Sequence, residues 1–410
     1  MTGAGADDTH RTIERVARES YGKLLARLAA HTRDVASAED VLGDALVAAL
    51  ATWPRDGVPR SPEAWLVTTA RHFFIDRVRH DEVVHAHQML PLDADAAPPD
   101  VHSVADFPDE RLELLFVCAH PAIDQAMHTP LMLQTVLGLD AARIAQAFLI
   151  SPATMGQRLV RVKTKIRVAG IPFAVPQPCE LPQRLDAVLE AIYAAFGIGW
   201  SAMSGADERG RDLADEAIWL ARVLRELMPN DPEVLGLLSL MLHCDARRHA
   251  RREPDGRYVP LSEQDPRRWS LGVIDEAERC LARASACGRP GRFQLEAAIQ
   301  SVHSERARGG PTNWDAIVLF YEQLAAVSPT LGTLTGHAAA LAEATAPAAG
   351  LAALDAMPRE RISTYQPYWA VRAHLLQRLG RSCDATNAFD RAIGLTEDPA
   401  VRAFLLERRG

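Results

Sequence analysis

The chain almost wholly lacks the alternation of apolar and polar residues that builds β-strands. Asp-Gly pairs, which form tight hairpin turns, occur at Asp56-Gly57 and Asp255-Gly256, and neither pair is flanked by strand-like segments. Ala, Leu and Arg, all good helix formers, dominate instead. The sequence therefore predicts an all-α protein.

Length and composition narrow the class of protein further. A chain of 410 residues can bury two or three separate cores, and 48% hydrophobic with 24% charged residues is typical of a folded protein. No run of 18 uncharged apolar residues occurs, and the N-terminus has no apolar signal segment. The six cysteines are scattered without a CxxC pair, which predicts reduced thiols and no structural zinc. We expect a cytoplasmic protein without a membrane partner, metal or cofactor.

Composition shifts divide the chain into blocks. The first block predicts helices at residues 12–30, 37–53 and 62–80, with Ser37 and Ser61 as N-caps. Residues 81–110 hold eight carboxylates and no Lys or Arg, which is typical of a linker. The predicted parts are a helical domain at 10–80, an acidic flexible linker at 81–108, a second helical domain at 109–173 and a helical extension at 181–410.

The extension predicts a series of short helices interrupted by Gly and Pro. One stretch follows the small and large order of a tetratricopeptide unit, in which small residues let two antiparallel helices approach closely. Its matching positions are Trp369, Ala373, Leu376, Gly380, Ala385, Phe389, Ala392 and Leu395. An irregular helical bundle with one repeat-like pair is the alternative.

The segment SPATMGQRLVRVKTKIR, residues 151–167, carries five cations and no acidic residue in a chain of formal net charge -8. At 100° per residue, one stripe of this helix is apolar and the opposite side is polar and cationic. The apolar stripe comprises Met155, Leu159, Val162 and Ile166. Binding of a polyanion at one face of the molecule is the simplest reason for such a stripe.

A short helix, AARIAQAFLI, precedes this basic helix, with Ile144, Ala145, Phe148 and Leu149 as its inward candidates. Two helices joined at Ile150 and Ser151 predict a helix-turn-helix, whose second helix can enter a major groove. The residues early on that helix are placed to reach base edges: Thr154, Gln157, Arg158 and Arg161. Three later cations are better placed for phosphates: Lys163, Lys165 and Arg167. A solvated basic face without a ligand is the alternative.

The order of the blocks resembles a known family. AEDVLGDALVAALATWP, then SPEAWLVTTARHFFIDRVRH, an acidic linker and ARIAQAFLISPATMGQRLVRVKTKIRVAGIPF together resemble sigma factors of the extracytoplasmic-function (ECF) group in the sigma-70 family. The tail resembles the tetratricopeptide-type extension of one subgroup. The resemblance implies a promoter-specificity subunit of RNA polymerase that directs transcription initiation and is not an enzyme.

The resemblance also implies roles for particular residues of the first block. The helix from Ser37 to Trp53 is similar to region 2.2, which docks on the beta-prime clamp helices of the polymerase core. The implied contacts are Asp40, Asp44, Val47 and Leu50. Gly43 stands where the family usually has Gln.

The next segment is similar to regions 2.3 and 2.4, which melt and hold the minus-10 element. Melted DNA needs stacking surfaces together with cations. The implied contacts are Arg60, Trp65, Arg71, His72, Phe73, Arg77 and Arg79. Trp65 and Phe73 are equally plausible as core residues, and His72 replaces the usual Asn.

For the later blocks, the resemblance implies that residues 109–173 are region 4, which reads the minus-35 element and contacts the beta flap. The extension would receive a regulatory protein. The family's Asn-Glu-Gly-Tyr element is altered here to AAFGIGWSAMSG, with Trp200 in place of Tyr.

Three other functions are alternatives to a sigma factor. A conventional helix-turn-helix regulator would need no strand-melting helices before its linker. A tetratricopeptide-type scaffold with a degenerate front half would explain Gly43 and the altered element. An enzyme is disfavoured, because pairs such as His303 and Glu305 come without a nucleophile elbow, phosphate loop or metal spacing.

Overall fold

The computed structural model describes residues 3–86, 107–148, 150–169, 171, 175–202, 208–358 and 362–410. Over these ranges the chain forms helices and no β-strand, apart from one isolated bridge between Arg252 and Tyr258. The predicted all-α class is confirmed. Most of the predicted acidic linker, residues 87–106, lies outside the described part of the chain.

The chain divides into two compact units, Met1–Ile198 and Gly199–Gly410. The helices of the first unit are α1 (Gly3–Thr32), α2 (Val35–Asp56), α3 (Pro62–Ala86), α4 (Glu110–Cys118), α5 (Gln125–Thr135), α6 (Ala141–Ala147) and α7 (Pro152–Val168). A further helix, α8 (Leu181–Ala202), crosses the boundary between the units.

Helices α1, α2 and α3 pack on one another around a common apolar core. Its fully buried members include Leu25, Leu28, Leu42, Trp53 and Leu66. These three helices agree with the three predicted ones, and α3 continues to Ala86.

The predicted N-cap of the second helix is wrong. Asp34 caps α2: its carboxylate accepts the backbone N–H groups of Ala36 (3.2 Å) and Ser37 (3.0 Å), so Ser37 lies inside the first turn. An Asp cap is favoured because its negative charge also meets the positive end of the helix dipole. The preceding Arg33 has a positive φ of 54°, which turns the chain sharply between α1 and α2.

Each of the helices α4 to α7 begins at a residue whose side chain caps the first turn. The caps are Asp109, Asp124, Asp140 and Ser151. Arg184 of α8 is buried and donates to the carbonyl of Phe116 at 3.1 Å, which ties α8 to α4.

Helices α6 and α7 follow each other across a short turn and pack together. Ile144 and Ala145 are fully buried, as predicted. Phe148 is 38% exposed, so its predicted inward position is wrong; it lies just past the end of α6, where the chain leaves the helix. The fourth inward candidate, Leu149, lies outside the described residues.

The second unit is also helical. Its helices are α9 (Glu208–Leu227), α10 (Pro232–Asp245), α11 (Leu271–Ala286), α12 (Arg292–Ser304), α13 (Trp314–Val327), α14 (Leu331–Ala344), α15 (Pro347–Asp355), α16 (Gln366–Arg378), α17 (Ser382–Leu395) and α18 (Pro399–Arg409). Neighbouring helices along the chain pack in pairs, among them α10 with α11 and α13 with α14.

The pair α16 and α17 contains the predicted repeat-like stretch. Ala373, Ala385 and Ala392 are buried between large residues, as the small and large order requires. Gly380 lies in the turn with a φ of 71°, a conformation that favours glycine. The helical pair agrees with the sequence prediction, whereas the tetratricopeptide assignment stays a prediction.

Candidate nucleic-acid interface

Helix α7 holds the basic segment and is fixed at its start. The Ser151 hydroxyl accepts the Thr154 backbone N–H at 3.2 Å, and Pro152 occupies the first helical position. Met155 and Leu159 are 1% and 2% exposed. These two buried anchors set the rotation of the helix, so the residues on the opposite side face solvent.

Four of the predicted DNA contacts lie on this solvent side: Gln157, Arg158, Arg161 and Lys165. Arg158, Arg161 and Lys165 form no ion pair with any described residue. Thr154 is half-buried, and its hydroxyl lies 2.7 Å from that of Ser151. The first turns of α7 therefore present uncompensated positive charge with a polar edge, which suits a nucleic-acid groove.

The two other cations predicted to bind phosphate have protein partners. The ammonium group of Lys163 donates to both carboxylate oxygens of Glu39, at 2.7 and 2.6 Å. Arg167 lies 3.4 Å from the carboxylate of Asp40. The sequence did not predict either pair because the members are more than 120 residues apart, and no local pattern indicates such a contact.

The exposed face of α2 combines carboxylates with apolar side chains. Asp40 and Asp44 both accept from Arg77 of α3, at 3.3 and 2.9 Å. Val47 is 66% and Leu50 is 42% exposed. Because exposed ion pairs contribute little stability, this acidic edge can exchange Arg77 for another basic partner at small cost.

The predicted minus-10 residues are divided between core and surface. Trp65 is half-buried and packs edge to face on Trp53, with ring centroids 5.4 Å apart. Phe73 is half-buried, and so is Arg71, whose buried Nε has no hydrogen-bond partner among the described residues. The exposed predicted contacts are Arg60, His72, Arg77 and Arg79.

All six cysteines are free thiols. Within the described ranges, no cluster of three or more His, Cys, Asp or Glu side chains could hold a metal ion. In the same part of the chain, no helix has the length and apolarity needed to cross a bilayer.

Residues 17–82 match Sigma-70 region 2, a domain of non-enzymatic transcription factors, and this match spans α2, nearly all of α3 and the second half of α1. Residues 184–285 match DUF6596, a family of unknown function. The helices that carry the acidic edge and the exposed cations of α3 therefore define a sigma-70 type of domain.

The chain contains a Sigma-70 region 2 domain at residues 17–82, and its similarity to a relative extends over nearly its whole length. That relative, Uncharacterized protein R00370 of Rhizobium meliloti (strain 1021), is 38% identical over 386 residues. The alignment covers 93% of this chain and 91% of the relative. The region 2 domain and the following helices thus occur as one shared architecture.

Proposed function

We propose that the protein is an RNA polymerase sigma factor of the ECF group, which binds core polymerase through α2 and promoter DNA through α3 and α7. The observation that carries this proposal is the exposed face of α2 within a chain that matches Sigma-70 region 2. Val47 and Leu50 lie one turn apart on α2, so together with the neighbouring carboxylates they form an exposed mixed patch of the kind that marks protein-binding surfaces.

The chemistry of this face indicates the kind of partner. Val47 and Leu50 supply apolar area, and Asp40 with Asp44 supply negative charge at its edge. Apolar centres with charged rims are typical of separable protein interfaces. The matching surface is a basic one with its own apolar residues, and the family resemblance assigns it to the beta-prime clamp helices of the polymerase.

The DNA contacts follow from exposure and charge. Arg60, His72 and Arg79 are exposed near the half-buried aromatic residues of α3, so cations and a ring can meet a melted strand together. Arg158 and Arg161 project from the first turns of α7, where guanidinium groups can pair with guanine edges in a major groove. The two helices would then read melted and intact DNA respectively, with α7 as the minus-35 reader.

The second unit is proposed to regulate rather than to contact DNA. The antiparallel pair α16 and α17, with small residues buried between large ones, supports a tetratricopeptide-like surface that takes a protein partner. Its role is separable from the sigma function, because α2, α3 and α7 all belong to the first unit.

Run-off transcription with purified core polymerase and a genomic fragment library tests the proposal. The full chain should co-purify with the core and yield discrete transcripts that the core alone does not make. Asp44→Arg should weaken both results at least about tenfold, because it puts a positive charge on the face that meets a basic partner. Glu14→Arg, the same charge change at an exposed residue of α1, is the matched control.

The sigma assignment would be wrong if the chain failed to co-purify with core polymerase and if the core made the same transcripts without it. Footprints on duplex DNA without polymerase would then favour a conventional DNA-binding regulator. Equal losses for Asp44→Arg and Glu14→Arg would show instead that α2 is not the polymerase-binding face.

A further inference from the structure

Three arginines of the second unit lie close together without a carboxylate partner. Arg247 and Arg251 follow α10, on either side of a short 3-10 helix at Arg248–Ala250. Arg306 follows α12. Their hydrogen bonds go to carbonyl groups and one sulfur, and none of the three forms an ion pair with a described residue. We call Arg247, Arg251 and Arg306 the arginine cluster.

One small apolar core brings the cluster together. The core contains the residues immediately before Arg247 and Arg251, and the residue after Arg306 packs against it. The guanidinium group of Arg306 lies over the ring of Trp269, another member of this core, 5.2 Å from the ring centroid. Burial and, in addition, the charge of Arg247 lower the pKa values of Arg251 and Arg306. Arg247 therefore lies within electrostatic range of both.

Neutral acceptors hold two of the three guanidinium groups in place. Arg306 donates to the carbonyl of Leu261 at 2.7 Å and to that of Gln264 at 3.0 Å. Arg251 donates to the carbonyl of Trp200 at 2.9 Å and lies over its indole ring, 4.2 Å from the centroid. These contacts fix the directions of the side chains, and they leave the positive charges without a counter-ion.

Arg247 and Trp269 each have an unused donor. The Nη2 of Arg247 donates to the sulfur of Cys244 at 3.6 Å, and sulfur is a weak acceptor. Its Nη1 is buried and has no hydrogen-bond partner in the described part of the chain. The same holds for the Nε1 of Trp269, a residue only 5% exposed. Because buried donors are almost always paired, these two groups favour an acceptor supplied by a ligand.

Carboxylates on the elements around the cluster are committed to other arginines. The pairs are Asp398 with Arg252, Glu296 with Arg292, Glu253 with Arg268, and Asp245 with Arg248. The uncompensated charge also acts on a neighbouring ring: burial, with Arg247 and Arg306, lowers the pKa of His303 to about 4. The cluster is therefore a strongly positive and partly exposed site at neutral pH.

Charge and geometry select the class of ligand. A guanidinium group presents its N–H donors in a planar fork that fits two oxygens of a phosphate or carboxylate. A single carboxylate carries one negative charge and would leave most of the cluster unneutralised. A phosphate group carries nearly two charges at neutral pH and offers several strong acceptor oxygens. It therefore matches the three arginines better.

We infer that the arginine cluster, together with the indole N–H of Trp269, is a binding site for the phosphate group of a small phosphorylated molecule. A bound phosphate connects the segment after α10 with the segment after α12, so it stabilises the second unit. The inference does not depend on sigma activity, because α2, α3 and α7 all belong to the first unit. If the second unit regulates as proposed, this site gives it a small-molecule signal.

Isothermal titration calorimetry of the full chain at constant ionic strength tests the site. Inorganic phosphate and glycerol phosphate are the probes, and the tighter of the two shows whether the free ion or an ester is preferred. Arg247→Gln should weaken binding at least about tenfold, because it removes a charged bidentate donor. Arg257→Gln changes an exposed arginine of the same segment in the same way and should stay within about twofold of wild type.

Thermal unfolding separates a ligand site from a purely structural role. Phosphate at about 100 times its Kd should raise the Tm of the wild type by about 5 °C or more and leave that of Arg247→Gln unchanged. In chloride buffer, Arg247→Gln should melt no lower than the wild type, because it relieves repulsion between unpaired cations. A variant that melts lower in chloride and still gains the full phosphate shift would overturn the inference.

Arginine labelling tests the site in the wild-type chain. Phenylglyoxal modifies guanidinium groups, and phosphate at the same concentration should slow labelling of Arg247 at least about tenfold while leaving Arg257 unaffected. Mass spectrometry of the two peptides measures both rates. Absence of saturable binding, or binding that does not protect Arg247, would overturn the inference. Loss of the site with intact transcription leaves the proposed function standing, and phosphate binding without transcription removes only the proposed function.

Discussion

The indole rings of Trp53 and Trp65 meet edge to face, with centroids 5.4 Å apart and planes inclined by 72°. Trp53 is 1% exposed at the end of α2, and Trp65 is half-buried on α3. Aromatic pairs favour this geometry because the positive edge of one ring meets the negative face of the other. The proposed polymerase-binding helix and the proposed strand-binding helix thus share one rigid contact.

Trp53→Ala should lower the free energy of unfolding of the N-terminal domain by about 3–5 kcal/mol, because it empties a fully buried site. Val47→Ala, on the solvent face of the same helix, should change it by less than about 0.5 kcal/mol. Urea denaturation followed by circular dichroism measures both. Similar small losses for the two variants would show that the tryptophan pair is not part of the core.

Two cations of α7 should differ in how they act on DNA. Arg158→Ala should cost about 1–3 kcal/mol of binding at one base position if its guanidinium pairs with a guanine edge. Lys165→Ala should weaken all sites alike and reduce the dependence of log K on log salt by about one. Binding to a library of duplexes at several salt concentrations separates the two effects. Equal losses on every sequence for both variants would refute the assignment of readout to Arg158.

Gly236 marks a close crossing of α10 and α12 in the second unit. A Cβ at this position would lie 2.5 Å from the backbone nitrogen of Gln294, so Gly236→Ala should destabilise the unit by about 1–3 kcal/mol. Gly272→Ala, in α11, adds a Cβ that has no neighbour within 4 Å, so it should stabilise the second unit by up to about 1 kcal/mol. Thermal unfolding of the full chain distinguishes them, and a stable Gly236→Ala variant would contradict the close packing.

Two buried histidines should make stability depend on pH. Burial, with the nearby Arg247 and Arg308, lowers the pKa of His243 to about 3, and burial with Arg247 and Arg306 lowers that of His303 to about 4. Both rings stay neutral in the folded state, although they titrate near 6.5 when unfolded. The unfolded state therefore binds more protons between these values, so stability is lost as pH falls below about 6.5.

The slope expected from one such histidine is at most about 1.4 kcal/mol per pH unit. His243→Gln keeps a polar group for the Ser304 hydroxyl, which lies 3.0 Å from Nδ1, and removes the titrating ring. Its unfolding free energy, measured in urea from pH 7 to pH 4.5, should fall less steeply than that of the wild type. Identical slopes would exclude His243 as a source of the pH dependence.

The sequence predicted the helices because their signals are local. Ser151 and Pro152 start α7 where expected, and the apolar spacing placed Met155 and Leu159 inward. The N-cap of α2 was misplaced because Asp34 and Ser37 are both good caps, and backbone geometry selects between them. The inward prediction for Phe148 failed because helical periodicity ends with the helix.

By itself, the sequence determined that the chain is helical, where α1, α2, α3, α6 and α7 lie and which of them carry basic or acidic faces, since each property depends on neighbours within a few residues. Only the tertiary structure decided that Glu39 pairs with Lys163 and that Gly22 meets Val136. Such contacts depend on how whole helices pack, and packing joins residues whose separation along the chain leaves no periodic trace.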